Sequence, residues 1–140
     1  MRSANGKFIS ILLAYNSFHI YTHQEFRCTN TQGNFVITRT NAFNALSDAP
    51  PTDQPGKSGY PHQFHNQDGI IWNETRCNQL PSPYKLLEFP VLRNGLLYQY
   101  DTKPKPDPGS ARIIYRYPAN TFCGVIAHTD GNQGPLNQCT

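Results

Sequence analysis

Apolar and polar positions alternate along this chain in short bursts, and one stretch departs from that two-residue period. Phe26-Arg-Cys28 and Phe35-Val-Ile37 flank the polar run Thr29-Asn-Thr-Gln-Gly-Asn34, a pattern that predicts a hairpin. Between Thr38 and Asp48, Ala42, Ala45 and Leu46 instead recur at helical spacing behind threonines able to cap a first turn, which predicts the one helix. The prolines of the following Ala49 to Gly59 stretch remove backbone donors and clash with a preceding turn, so an ordered loop must lead on to Tyr60.

Strand and loop alternate in the remainder. Gly59 to Phe64, Tyr84 to Pro90, Ser110 to Tyr115 and Gly124 to Thr129 read as strands or strand ends. With side chains pointing alternately up and down, Arg112, Ile114 and Arg116 share one face, and Ile113 and Tyr115 the other. By the same rule His128 lies with Ile126 and Gly124, opposite Cys123, Val125 and Ala127. Arg112 and His128 thus interrupt two apolar strands, and a charged side chain in such a run must be paired or face a ligand.

Composition narrows the architecture. A chain of 140 residues is large enough for one core and too short for two, so residues 23–140 are expected to form a single domain. Twelve prolines and ten glycines, scattered rather than clustered, argue against a helical bundle. The expected class is α+β: one helix packed on a twisted central antiparallel sheet, with an N-terminal hairpin and long ordered loops. Residues 1–22, with Arg2 and Lys7 ahead of the apolar run Phe8 to Tyr15, read as a degenerate or truncated secretory signal. Eight apolar residues cannot span a bilayer. Asn73-Glu-Thr75 is an acceptor sequon for N-glycosylation.

The net charge of +3 is too mild to argue for nucleic acid by itself, although Lys103, Lys105, Arg112 and Arg116 lie close in sequence. Four cysteines, Cys28, Cys77, Cys123 and Cys139, form no CxxC pair and have no histidine at zinc spacing. An even count without metal spacing favours two disulfides and an oxidising compartment, and three pairings are open. A Cys28–Cys139 bond would close nearly the whole domain and, in the chain-entropy model, contribute about 4 to 5 kcal/mol.

Five residues then make a chemically sufficient set: Tyr60, His62, Glu88, Arg112 and His128. Breaking an RNA phosphodiester without a metal or other cofactor needs a base for the 2′-hydroxyl, an acid for the departing 5′-oxygen, and donors for charge building on phosphorus. Glu88, kept ionised by Arg112, suits the base; His128 suits the acid; His62 is a second cation or an alternative base. Arg112 offers a planar fork to phosphate oxygens, and the Tyr60 hydroxyl adds an uncharged donor. DNA lacks the nucleophile. Singly, each residue has a plain structural reading: a bonded histidine, a buried Glu88–Arg112 pair, a core tyrosine.

Taken with their surroundings, these residues resemble the guanyl-specific fungal ribonucleases and, from Leu86 onward, more closely the fungal ribotoxins. The motifs are Tyr60-Pro-His62, Leu86-Leu-Glu-Phe-Pro90, Asp101-Thr-Lys-Pro-Lys-Pro-Asp-Pro-Gly-Ser-Ala-Arg112, Cys123-Gly-Val-Ile-Ala-His-Thr129 and Gly131-Asn-Gln-Gly-Pro-Leu136. The resemblance implies the microbial ribonuclease fold, with Tyr60, His62, Glu88, Arg112 and His128 as the catalytic set. It places Leu136 in contact with the catalytic acid, Asn66 beside a base-recognition loop, and disulfides at Cys28–Cys139 and Cys77–Cys123. Phe64, Asp68, Lys103 and Lys105 join the expected substrate contacts.

The chain departs from the family at two points. Between His62 and Glu88 ribotoxins carry a long lysine-rich loop; here the interval is far shorter than theirs, though longer than in the simple ribonucleases, and its cations are Arg76 and Lys85. Phe64-His-Asn-Gln-Asp68 also lacks the aromatic stacking pattern of the guanyl enzymes and has Asp68 where their glutamate would pair with guanine. The expectation is a secreted, monomeric, metal-independent endoribonuclease acting on large-subunit ribosomal RNA. Its rivals are a broader extracellular ribonuclease and a ribonuclease-like effector that binds without cleaving.

Overall fold

The computed structural model describes residues 24–140. The segment 1–22 that reads as a signal lies outside the described residues. Strands β1 (Glu25–Asn30) and β2 (Gly33–Thr38) pair antiparallel, and the ladder runs through their polar ends, leaving Thr31-Gln32 as the turn. Helix α1 (Arg39–Asp48) starts where the Thr38 side chain accepts the Asn41 N–H at 3.1 Å, a cap that contributes about 1 kcal/mol. It stops at Ala49, whose N–H reaches Ala45 O at 2.9 Å before Pro50 and Pro51 end the ladder. Ala42, Ala45 and Leu46 are its buried residues, as their spacing predicts.

Five antiparallel strands follow in sheet order: β3 (His62–Gln63), β4 (Lys85–Pro90), β5 (Ala111–Tyr117), β6 (Thr121–Asp130) and β7 (Gln133–Gln138). The class is α+β, with the hairpin as a separate small sheet. The hairpin is tied to the chain's C-terminal end by Arg27–Thr140 backbone bonds at 2.8 and 3.0 Å and by the Cys28–Cys139 disulfide.

Each face of the five-stranded sheet has its own apolar cluster. On one face Ile37, Ala42, Phe89, Ile113, Tyr115 and Val125 pack together under the hairpin and helix. On the other, Phe64, Trp72, Cys77, Leu86, Ile114, Cys123 and Ile126 are covered by the loop between β3 and β4. That loop has almost no ladder bonds, and two asparagines replace them. Asn66, at φ 53°, bonds both backbone groups of Ile70 at 2.8 and 2.9 Å, and Asn78 does the same for Trp72 at 2.8 and 2.9 Å. Trp72 lies against Gly124, where a Cβ would come within 3.1 Å of the ring.

The register shifts twice, between His128 and Asp130 against β7 and between Ile114 and Tyr115 against β6, and the second shift moves a predicted face. Ile114 faces Gly124 but Tyr115 faces Phe122, so β6 carries one extra residue at a bulge. The reading that set Cys123 beside Val125 and Ala127 is therefore corrected: the bulge turns Cys123 into the cluster of Ile114 and Ile126, where it bonds Cys77. Among the described residues no helix is long and apolar enough to cross a membrane.

Candidate active site

Cross-strand register brings the dispersed polar residues onto one face. His62 stands opposite Glu88, and one row along Pro90 stands opposite Arg112 and Arg112 opposite Ile126. In the next row His128 faces Leu136. Because alternate residues share a face, Glu88, Arg112 and His128 form a diagonal across β4, β5 and β6, with diagonal neighbours roughly 7 Å apart. Tyr60 arrives differently. The Gly59–Phe64 strand expected from the sequence is realised only at His62–Gln63, since Pro61 has no amide to donate and Gly59 turns the chain at φ 91°. Bonds from Gly56 N–H to Tyr60 O at 2.8 Å and from Tyr60 N–H to Ser58 Oγ at 3.2 Å fix its place in the loop.

Glu88 lies between His62 and Arg112. His62 Nδ1 is 3.3 Å from Oε1 and Arg112 Nε is 3.7 Å from Oε2. Arg112 is only 2 % exposed, so its charge needs partners. Its Nη1 donates to the carbonyls of Pro108, Gly109 and Ala111 at 3.2, 2.7 and 2.9 Å, and its Nε donates to the Tyr60 hydroxyl at 3.2 Å. Nη2 has no protein partner among the described residues and is not sealed from solvent. Burial, the largest influence, pushes the Tyr60 phenol up, with Arg112 acting in the opposite direction and Glu88 reinforcing the rise. The hydroxyl therefore keeps its proton and, having accepted from Arg112, can donate it elsewhere. Tyr60 stacks on His62 with centroids 4.6 Å apart and meets Tyr98 edge-on at 5.7 Å.

His128 Nδ1 lies 3.0 Å from the Gly134 carbonyl, which fixes that nitrogen as the donor and leaves Nε2 for chemistry. Between His62, Glu88 and Leu136 runs a groove of about 670 Å³, walled on one side by residues 63–68. The site thus holds a carboxylate able to take a proton, an imidazole able to give one, and a free guanidinium nitrogen and phenol between them. Among the described residues no group of three His, Cys, Asp or Glu side chains is placed to hold a metal ion.

The remaining expected contacts divide. Asp68 and Leu136 both line the groove, and Asp68 Oδ2 accepts the Leu136 N–H at 3.2 Å, fastening the loop to β7. Asn66 lines it too, but its side-chain amide is occupied in shaping the loop. Phe64 lines the groove as well, but it is only 6 % exposed and lies edge-on to Trp72 within the second cluster. Lys105 Nζ lies 5.0 Å from the Tyr60 ring centroid, whereas Lys103 is exposed on the same loop. Residues that escaped the sequence reading act through backbone or packing: the Gly134 carbonyl, Tyr98 against Tyr60, and an Asn132–Asp107 bond of 2.7 Å that ties the lysine-bearing loop to the β6–β7 turn. A carbonyl ligand has no residue-type signal; Asn132 had one in its turn motif.

A ribonuclease family matches residues 25–140. Ribonuclease clavin of Aspergillus clavatus is 39 % identical over 126 residues, which is 75 % of this chain and 71 % of that protein. Among solved structures, the Aspergillus ribotoxin restrictocin superposes with a TM-score of 0.74 at 32 % identity, covering 83 % of this chain and 99 % of restrictocin. Restrictocin in complex with a 29-mer sarcin/ricin domain RNA analog matches at a TM-score of 0.67 and 30 % identity, over 83 % of this chain and 99 % of that one.

Proposed function

Since the chain belongs to this ribonuclease family and is a ribotoxin-like endoribonuclease with RNA as its partner, we propose that the diagonal of Glu88, Arg112 and His128 is its catalytic centre. Glu88 takes the proton of the 2′-hydroxyl, and the freed oxygen attacks the adjacent phosphorus. As the phosphorus–5′-oxygen bond breaks, His128 Nε2 gives the leaving oxygen a proton. The products are a 2′,3′-cyclic phosphate and a 5′-hydroxyl. His62, 3.3 Å from Glu88, holds the carboxylate in line and can share its proton. Arg112 Nη2 and the Tyr60 hydroxyl take the non-bridging oxygens, and Lys105 adds charge at the edge. These groups fill every role of the reaction without a metal.

The observation that carries this reading is the Glu88 carboxylate held between His62 and Arg112 on the face that also presents His128. For the substrate we propose large-subunit ribosomal RNA, in line with the sarcin/ricin domain RNA bound by restrictocin. The two disulfides fit a secreted protein, acting as a monomer. Incubation with intact ribosomes is the test. One discrete large-subunit RNA fragment is expected; general degradation of the RNA would favour a broad extracellular ribonuclease, which the short His62–Glu88 interval leaves as the rival.

A further inference from the structure

A second hollow, of about 380 Å³, adjoins the groove. Gln63, Phe64, His65 and Asn66 line both, so the two lie against the same stretch of loop. The other walls of the second hollow include Ile71, Leu80, Tyr84 and Lys85. Ile71 is 75 % exposed and Leu80 43 %, which makes them two of the five exposed large apolar side chains among the described residues. Large apolar side chains left in water beside a concavity mark a surface that something covers.

The rim carries charge. The Arg116 guanidinium stacks 3.6 Å over the Tyr84 ring and donates to Gln79 O at 3.3 and 3.2 Å, and among the described residues no carboxylate lies within 4.0 Å of it. Glu74 feels its charge from further off, so Arg116 has a carboxylate in its surroundings and none in an ion pair. Gln63 and His65 keep their side-chain polar atoms free of protein bonds among the described residues. Apolar walls, two free polar edges and a cation at the lip suit a nucleobase with its phosphate outside.

We propose that this hollow is a nucleobase subsite for the nucleotide on the 5′ side of the one in the groove. The assignment rests on the roles given above to Glu88 and His128. If Glu88 meets the 2′-hydroxyl and His128 the leaving 5′-oxygen, the RNA runs 3′ toward His128 and 5′ past Glu88. Along β4, the 5′ direction leads from Glu88 to Leu86 and Lys85, which border the hollow. Leu86 is two residues from Glu88, roughly 7 Å, about one step of a stretched single strand. Continuity with the RNA groove and the Arg116 guanidinium, which is in no ion pair among the described residues, favour RNA as the occupant over a protein.

The test compares kcat/KM for GpA, for UpGpA and for GpApU. The 5′ nucleotide should raise kcat/KM by between about 5- and 100-fold, the range that stacking of one base supplies, and the 3′ nucleotide by much less. An abasic 5′ unit, which keeps the phosphate, should lose most of the gain. Ile71→Asp and Leu80→Asp, both at exposed positions, should abolish the gain and leave GpA cleavage unchanged. Equal values for GpA and UpGpA would overturn the subsite alone. A gain that survives both variants while cleavage of intact ribosomes falls would overturn it in favour of protein docking. No turnover of any of the three RNAs would remove the active-site reading as well.

Discussion

The two faces of the five-stranded sheet are built from alternate residues of the same strands, yet they are finished in opposite ways. Leu87, Phe89, Ile113 and Val125 look toward the hairpin and helix and are at most 1 % exposed. Leu86, Glu88, Arg112, Ile114, Ile126 and His128 look the other way, where an irregular loop covers one end and a groove opens at the other. Each face has one disulfide, Cys28–Cys139 behind and Cys77–Cys123 in front. The contrast teaches that stability and chemistry are separated here by one residue along a strand, about 3.3 Å, rather than by domain or by distance.

Substitutions at neighbouring positions can break that separation or sharpen it. Glu88→Gln and His128→Ala should each lower the rate of cyclic-phosphate release by about 10² to 10⁴-fold while the thermal midpoint stays within a few degrees. A large stability loss from either would tie the front face to the fold. Phe89→Ala, next in the chain but on the back, should cost about 3 to 5 kcal/mol in denaturant unfolding with kcat of the folded fraction preserved. Opening the front disulfide by Cys77→Ala with Cys123→Ala, a closure over 46 residues, should cost about 4 kcal/mol in the chain-entropy model, read as a lower unfolding midpoint. It should also speed proteolysis of the covering loop more than that of the hairpin.

The smallest effect compares two tyrosines. The Tyr60 hydroxyl is bonded to Arg112, whereas the Tyr115 hydroxyl is buried without a protein partner among the described residues, and its burial pushes that phenol up. Tyr115→Phe should be neutral or stabilising by up to about 1 kcal/mol, because it removes a buried group that lacks a bond. Tyr60→Phe should leave the midpoint nearly unchanged and lower kcat. A destabilised Tyr115→Phe would reveal a water or other partner on the back face.

Local chemistry accounts for what the sequence made legible. Thr38 caps a helix wherever its hydroxyl meets a first turn, and the proline pair after Ala49 stops one regardless of context. Alternation placed Arg112 and His128 on one face because a ladder enforces it. The misses lie where no period operates. At Cys123 a single extra residue reversed the alternation, and nothing in the residue types announces a bulge. Phe64 lines the groove beside His62, as expected, but its ring is packed into the second cluster, assembled around Trp72 and its bare contact at Gly124, and no period foretold that. Residues 64–84 follow neither a two- nor a 3.6-residue pattern, so their fold is set by side-chain to backbone bonds from Asn66 and Asn78.

The division of labour along β4 has a consequence for how this protein can change over time. A one-residue insertion or deletion between Lys85 and Glu88 would push Leu87 or Phe89 into the groove and drive the carboxylate into the packed interior, losing activity and folding together. Point substitutions can adjust either face by itself, but a length change in this strand strikes both at once. Variation in length is therefore free to accumulate only outside the ladder, in the loops at its ends, and the stretch between β3 and β4 is the longest place left for it.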